Sequence, residues 1–314
     1  MMVVSGKGVE MRNHWSRITL GVLAALMLGG LALAEDKIKV LLIDGQNNHN
    51  WQATSPFMKR VLEESGRFTV DVATTPPRPK GGGEQGAYRE AMAKFRPDFN
   101  KYDVVLSNYN GDPWPEATQK ALEEFVRAGK GLVIVHAANN AFPGWGEYNQ
   151  MIGMGWRDNK FGPRLITDAD GKLIRVEKGQ GPGSSHGPQH AFAIVVRNAE
   201  HPVTRGMPRE WMHAQDELYH GMRGPAENIT MLATAFSDKA KGGTGDHEPM
   251  IWTVGYGKGR VFHTPMGHDL NGMRCVGFVT TLLRGTEWAA TSKVTIPIPE
   301  NFPTAQEVKQ VSAN

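Results

Sequence analysis

Four short segments carry side chains that could do chemistry. They read Gly45-Gln-Asn-Asn-His49, Asn108-Tyr-Asn-Gly-Asp112-Pro-Trp114, His136-Ala-Ala-Asn-Asn140-Ala-Phe142 and His263-Thr-Pro-Met-Gly267-His268-Asp269. Imidazole suits general acid–base work because it titrates near neutrality. Imidazoles joined by a carboxylate also suit a divalent ion such as zinc. Asparagine and aspartate amides and carboxylates bind hydroxyl groups. His49, Asn108, Trp114, Asn139, Asn140 and Asp269 are therefore candidate substrate-binding residues, and His136 and His268 candidate catalytic ones.

Each segment follows an apolar run: Ile38 to Ile43, Val104 to Leu106, Leu132 to Val135, and Val261 to Phe262. Continuous apolar runs of this length are expected of buried parallel strands. Between them lie helical signals. Ser55-Pro56 reads as an N-cap and first-turn proline, and Ala117, Ala121, Leu122, Phe125 and Val126 form one apolar stripe. Alternation of this kind predicts an α/β fold, a three-layer doubly wound parallel sheet. All strands of such a sheet point their carboxyl ends to one edge, where ligands bind. The four segments should converge there, which makes an enzyme or a small-ligand protein the leading reading. Residues 153–189, rich in Gly and Pro, read as a long irregular insertion over the site. His190 to Arg197, Ile229 to Ala235, Met250 to Val254 and Arg260 to His263 read as further strands, and Asn271 to Arg284 as a closing helix.

Gly129-Lys-Gly-Leu-Val-Ile-Val-His136, Asp216-Glu-Leu-Tyr219, and Tyr256-Gly-Lys-Gly-Arg-Val-Phe262 followed by Gly267-His268-Asp269 occur in that order, with His49 after the first strand. Together they resemble the ThuA-like, or trehalose-utilisation, family, from about Lys39 to about Arg284. The resemblance implies a class I glutamine amidotransferase-like (flavodoxin-like) fold. It also implies a role with trehalose or 3-keto-disaccharides. His263 stands where many relatives look aromatic, so it ranks below His268.

An amidotransferase places a nucleophilic Cys at a sharp strand-to-helix turn, paired with a His. Here that turn reads His136-Ala-Ala, and Cys275 lies in an apolar helical stretch as a buried thiol. Cys-dependent amide hydrolysis is thereby excluded. Two uses of the remaining groups stay open. His136, His268 and Asp216 or Glu217 could act as acid and base on a sugar, with Tyr219 in the substrate-binding set. Alternatively, some of His49, His136, His213, Asp216 and His268 could bind a divalent metal such as zinc, with His49, His136 and His268 the first candidates. No HExxH or CxxC spacing supports the metal directly. His186 and His190 could line the site or brace the insertion.

Trp51, Trp114, Phe142, Trp145 and Trp156 fall on or beside these loops, and a cleft of aromatics and amides suits a neutral carbohydrate. No Walker-type sequence occurs, and the GxGxxG string from Gly81 to Gly86 follows a Pro-rich loop instead of closing directly on a strand, which argues against a nucleotide cofactor. The expected function is an enzyme acting on a disaccharide or keto-glycoside by hydrolysis, elimination or isomerisation. The alternative is a non-catalytic carbohydrate-binding or accessory protein on the same fold.

Met11 to Arg17 is basic, Ile18 to Leu31 apolar, and Ala32-Leu-Ala34 a small-x-small site. Residues 1–34 thus read as a cleaved signal peptide, 35–290 as the α/β domain and 291–314 as a surface tail. Export to the periplasm or exterior, with no stable membrane association after cleavage, is the expectation. Removing Lys7, Arg12, Arg17 and Glu10 leaves 32 basic against 31 acidic residues, a net charge of +1. That balance carries no basic stripe for nucleic acid. The single cysteine can make no internal disulfide, so the core must hold the fold.

Overall fold

The structure, a computed structural model, describes residues 36–79 and 85–312. The expected leader lies outside the described residues, as does part of the Pro/Gly-rich loop after Thr75. Lys37–Asn314 forms one compact unit. In chain order the strands are β1 (Ile38–Asp44), β2 (Phe68–Thr74), β3 (Val104–Ser107), β4 (Gly131–Val135), β5 (Arg164–Thr167), β6 (Leu173–Val176) and β7 (Ser185–His186). There follow β8 (His190–Val196), β9 (Glu210–Asp216), β10 (Tyr219–His220), β11 (Ile229–Phe236), β12 (His247–Tyr256) and β13 (Gly259–Thr264). The helices are α1 (Trp51–Glu64), α2 (Gln85–Ala93), α3 (Glu116–Arg127), α4 (Gly146–Ile152), α5 (Leu270–Met273) and α6 (Val276–Thr291).

An eleven-stranded sheet forms the middle layer, nine strands in the order β2-β1-β3-β4-β13-β12-β11-β8-β9, with β5 branching from β12 and β6 from β5. Alternation along β1 splits the core. Val40 and Leu42 face the layer containing α1 and α6, while Leu41 and Ile43 face the layer of α3 and α4. From β2 to β13 the pairing is parallel, which brings the ends of β1, β3, β4 and β13 to one edge. The far half departs from an all-parallel sheet. β12 and β13 are joined by a two-residue turn at Gly257-Lys258, and β8, β9 and β11 also pair antiparallel. No crossover helix separates β12 from β13, and a tight turn can only reverse the chain.

Three local readings need correction. Asn50, not Ser55, caps α1, its Oδ1 accepting from the Ala53 N–H at 3.2 Å, and Pro56 lies within the helix. An Asn side chain satisfying a first-turn donor starts the helix early, and the packed face carries it past the proline. The single closing helix is two, because Cys275 takes extended backbone (φ −53°, ψ 125°) between α5 and α6. The segment at 153–189 contains a β5–β6 hairpin and β7, which pairs with β10 beyond it. The C-terminal segment lies against the domain: Phe302 is buried beside Trp211, and Val276 N–H donates to Lys309 O at 2.8 Å. No helix among the described residues is long and apolar enough to cross a membrane.

Candidate active site

Three parallel strands and one antiparallel edge strand deliver the site. The loop after β1 presents His49, and Asn47 Oδ1 accepts from the His49 N–H at 3.0 Å. Asn108, buried at the end of β3, holds that loop rather than a substrate. Its amide donates to Thr54 Oγ1 and Ser55 Oγ, and its carbonyl accepts from Asn47. After β4 the chain turns sharply, and His136 sits at φ +47°, left-handed backbone that a non-glycine residue adopts at a cost. After β13, Gly267 at φ +104° turns His268 inward. From β9 comes Glu217.

These four converge. One ligand atom from each of His49, His136, Glu217 and His268 lies within 4.8 Å of the others. The His49 ring centroid is 4.6 Å from those of both His136 and His268. His268 Nδ1 is 3.0 Å from Glu217 Oε1, and His136 Nε2 is 3.6 Å from Glu217 Oε2. The first approach has the length of a charge-assisted hydrogen bond, and the other carboxylate oxygen, Glu217 Oε2, is buried without a hydrogen-bond partner.

Surrounding groups fix these orientations. His136 Nδ1 lies 2.7 Å from Pro265 O, which can only accept, so Nδ1 carries the proton and Nε2 the lone pair. The Tyr219 hydroxyl donates to that Nε2 at 3.1 Å. Trp156 packs edge-on to Tyr219, and His186 stacks on it with Nε2 3.5 Å from Glu217 Oε1. Arg157 donates to the carbonyls of Asn139, Asn140 and Ala141 and so holds the turn after His136. Burial lowers its pKa to about 10. Nothing in its Gly-rich sequence neighbourhood signals that role.

Asp216 does not touch the catalytic imidazoles. Its carboxylate accepts from His213 Nε2 at 2.8 Å and from the Gly267 and His268 N–H groups at 2.7 and 3.0 Å. It is a buried pin for the His268 turn, and His213 belongs to that pin and not to the cluster. The reason is strand alternation: adjacent residues at the end of β9 point to opposite sides. Cys275 lies beside His213 in the core with its thiol toward Met212 O at 3.9 Å, far from any open surface.

Three more candidates fall elsewhere. Trp114 is buried in an aromatic cluster with Tyr109, Phe142 and Trp145, because its loop folds back onto α3. Asn139 is fully buried against His263 and Met222. Asp269 caps α5, accepting from the Asn271 and Gly272 N–H groups. Asn140, half-buried, lies beside Tyr219. His263 is enclosed between Trp252, Ile152 O and Asn139, and burial lowers its pKa to about 3.

Electrostatics separate the cluster into roles. Burial, then the neighbouring His136 and His268, push His49 down to about 4. Burial also holds His136 below the ordinary imidazole range. The adjacent Glu217 carboxylate raises His268. Burial alone would raise Glu217, but His268 and His136 turn the net shift downward. At neutral pH the cluster therefore holds two neutral imidazoles beside a carboxylate paired with a more basic one. Environments that push neighbouring groups apart in this way assign a base and an acid.

Comparison with known proteins shows the family. The family model for ThuA, described as trehalose utilisation, matches residues 39–289. A crystal structure of a ThuA-like protein from Parabacteroides merdae ATCC 43184 is 45% identical, covers 88% of this chain and 98% of its own, and superposes with a TM-score of 0.81. A second, from Bacteroides uniformis ATCC 8492, is 17% identical over 82% of this chain and 94% of its own, with a TM-score of 0.51, and shares the fold. No curated protein matches.

Proposed function

The chain belongs to the ThuA family, and from that premise we propose that it is an exported enzyme acting on a disaccharide or 3-keto-glycoside. The observation that carries this reading is the convergence of His49, His136, Glu217 and His268 at the carboxyl edge of the parallel strands. His136 Nε2 is the base: its lone pair faces the cleft, and the Tyr219 hydroxyl now occupies the place of a substrate hydroxyl or water. His268, made more basic by Glu217, is the acid. Proton removal at one atom of a sugar and delivery at another serve hydrolysis, elimination and isomerisation alike.

The same four side chains fit a divalent cation such as zinc. The fit rests on the unpartnered buried Glu217 Oε2, and on the Pro265 contact that fixes the His136 tautomer as outer partners of metal-bound imidazoles do. The ligand atoms of the four side chains lie within 4.8 Å of one another, and a tetrahedral ion with bonds of ~2.1 Å would need them drawn in to roughly 3.4 Å. Such an ion would polarise a sugar oxygen.

The test is incubation of purified protein with 3-keto-disaccharides and their parent sugars, with and without chelator, alongside elemental analysis. Turnover that disappears with chelator and returns with zinc supports the metal-assisted form. Turnover indifferent to chelator, in protein free of metal, leaves acid–base chemistry alone. Absence of turnover on every sugar contradicts the enzyme reading and favours a binding protein.

A further inference from the structure

Beside the histidine cluster lies a second cavity of about 650 Å³, lined by Gly45, Asn47, Asn48, Trp51, Gln52, Arg78 and Asn110 among others. Cavities of ~300–1,000 Å³ suit small ligands. The two sites share a wall. Asn48 Nδ2 is 3.0 Å from His49 Nε2, and the Trp51 N–H donates to His49 O at 2.8 Å.

Trp51 is unlike the other described tryptophans. Trp114, Trp145, Trp156, Trp211, Trp252 and Trp288 each pack against another ring. Trp51 packs against none among the described residues, belongs to neither core cluster, and stays half-exposed at the cavity wall. A large apolar face left open at a concave site is placed to bind rather than to support.

The rest of the lining is uncharged in effect. Arg78 is the lone charged residue in it among the described residues, and Asp112 neutralises it through two contacts, one of them Nε to Oδ2 at 3.1 Å. Asn47 and Asn48 are fixed by hydrogen bonds to Asn108, His49 and Asn110. The Gln52 amide and Asn110 Oδ1 have no partner among the described residues. Among the described residues a phosphate or carboxylate would find no free cation here, whereas hydroxyl groups would find donors, acceptors and one flat apolar face.

We propose that this cavity is a subsite for an uncharged pyranose ring, stacked on Trp51 and hydrogen-bonded by Gln52 and Asn110, which holds one sugar of the substrate while the next reaches His49 and His136. The proposal rests on the carbohydrate reading of the histidine cluster and adds where the second sugar binds. It also makes Trp51, rather than the buried Trp114, the aromatic that selects a disaccharide.

The experiment is calorimetric titration of trehalose into the full chain, Trp51→Ala and Trp51→Phe, with trehalose 6-phosphate as the anionic comparison. Trp51→Ala should bind trehalose roughly ten-fold or more weakly, as removal of a central Trp contact does. Trp51→Phe should keep part of the affinity and serves as the informative variant should the alanine protein not fold. Trehalose 6-phosphate should bind no tighter than trehalose. Unchanged affinity in a folded Trp51 variant, tighter binding of the phosphate, or no trehalose binding at all would overturn the subsite. Sugar binding lost with Trp51 while turnover survives in folded His136→Ala would keep the subsite and remove the catalytic reading instead.

Discussion

Asp216 and Glu217 are adjacent carboxylates with separate tasks: Glu217 reaches three imidazoles, whereas Asp216 accepts from His213 and three backbone N–H groups. Both residues stand out in the sequence, and only the register at the end of β9 tells them apart. Cys275 is the complementary case, a reactive residue type placed where it cannot react. Burial would raise its thiol, but His213 lowers it on balance, so charge alone would suggest a nucleophile. Its full burial at the start of α6 denies any substrate access. Cys275→Ser should keep turnover within a few-fold while lowering thermal stability. Turnover abolished in folded Cys275→Ser would restore the thiol as the nucleophile. His49, His136 and His268 were recognisable because each closely follows an apolar run, a local pattern. Trp114 misled because a tryptophan after a strand reads the same whether its loop folds over the site or back onto α3.

Among elements, the turn between β13 and α5 depends on β9. Asp216 ties Gly267 and His268 to the end of an antiparallel edge strand, and so sets where the His268 ring stands. Asp216→Ala would leave buried His213 without its counter-charge, and breaking a buried pair costs ~3–5 kcal/mol. Urea unfolding should show a loss of that order, with the midpoint moving while the slope is kept. A loss under about 1 kcal/mol would mean the carboxylate is not a pin. The parallel half of the sheet was readable because buried parallel strands are continuous apolar runs separated by helices. The antiparallel half was not readable from its apolar runs, which look alike whichever way they point; the short Gly257-Lys258 link is the signal that reverses the chain. The start of α1 at Asn50 was hidden by Ser55-Pro56, an equally good local start signal that tertiary packing overrides.

At the scale of the whole molecule, histidines are the side chains whose charge ordinarily changes between pH 5 and 8. His49, His136, His201, His220, His247 and His263 lie below the ordinary imidazole range, with burial the first cause for each. His213 and His268 lie above it. A lowered histidine stays neutral in the fold and gains its proton on unfolding. Its contribution is therefore present above the unfolded value of 6.5 and lost as pH falls toward about 4 for His49 and His201 and about 3 for His263. The two raised histidines act oppositely and keep their contribution in acid. Six against two means the unfolded chain binds more protons, so the urea midpoint should be lower at pH 5 than at pH 7.5. A midpoint unchanged or higher at pH 5 would show that these imidazoles are not held neutral.

The claim on which the rest depends is that His136 and His268 act together on one substrate. Kinetics of His136→Ala, His268→Ala and the double variant on a turned-over keto-disaccharide test it most directly. Each single substitution should lower kcat by ~100- to 10,000-fold with the protein still folded. The double variant should lose far less than the product of the two, because groups that act as a unit are not additive. Near-normal turnover in either folded single variant, or losses that simply multiply, would contradict a shared catalytic centre.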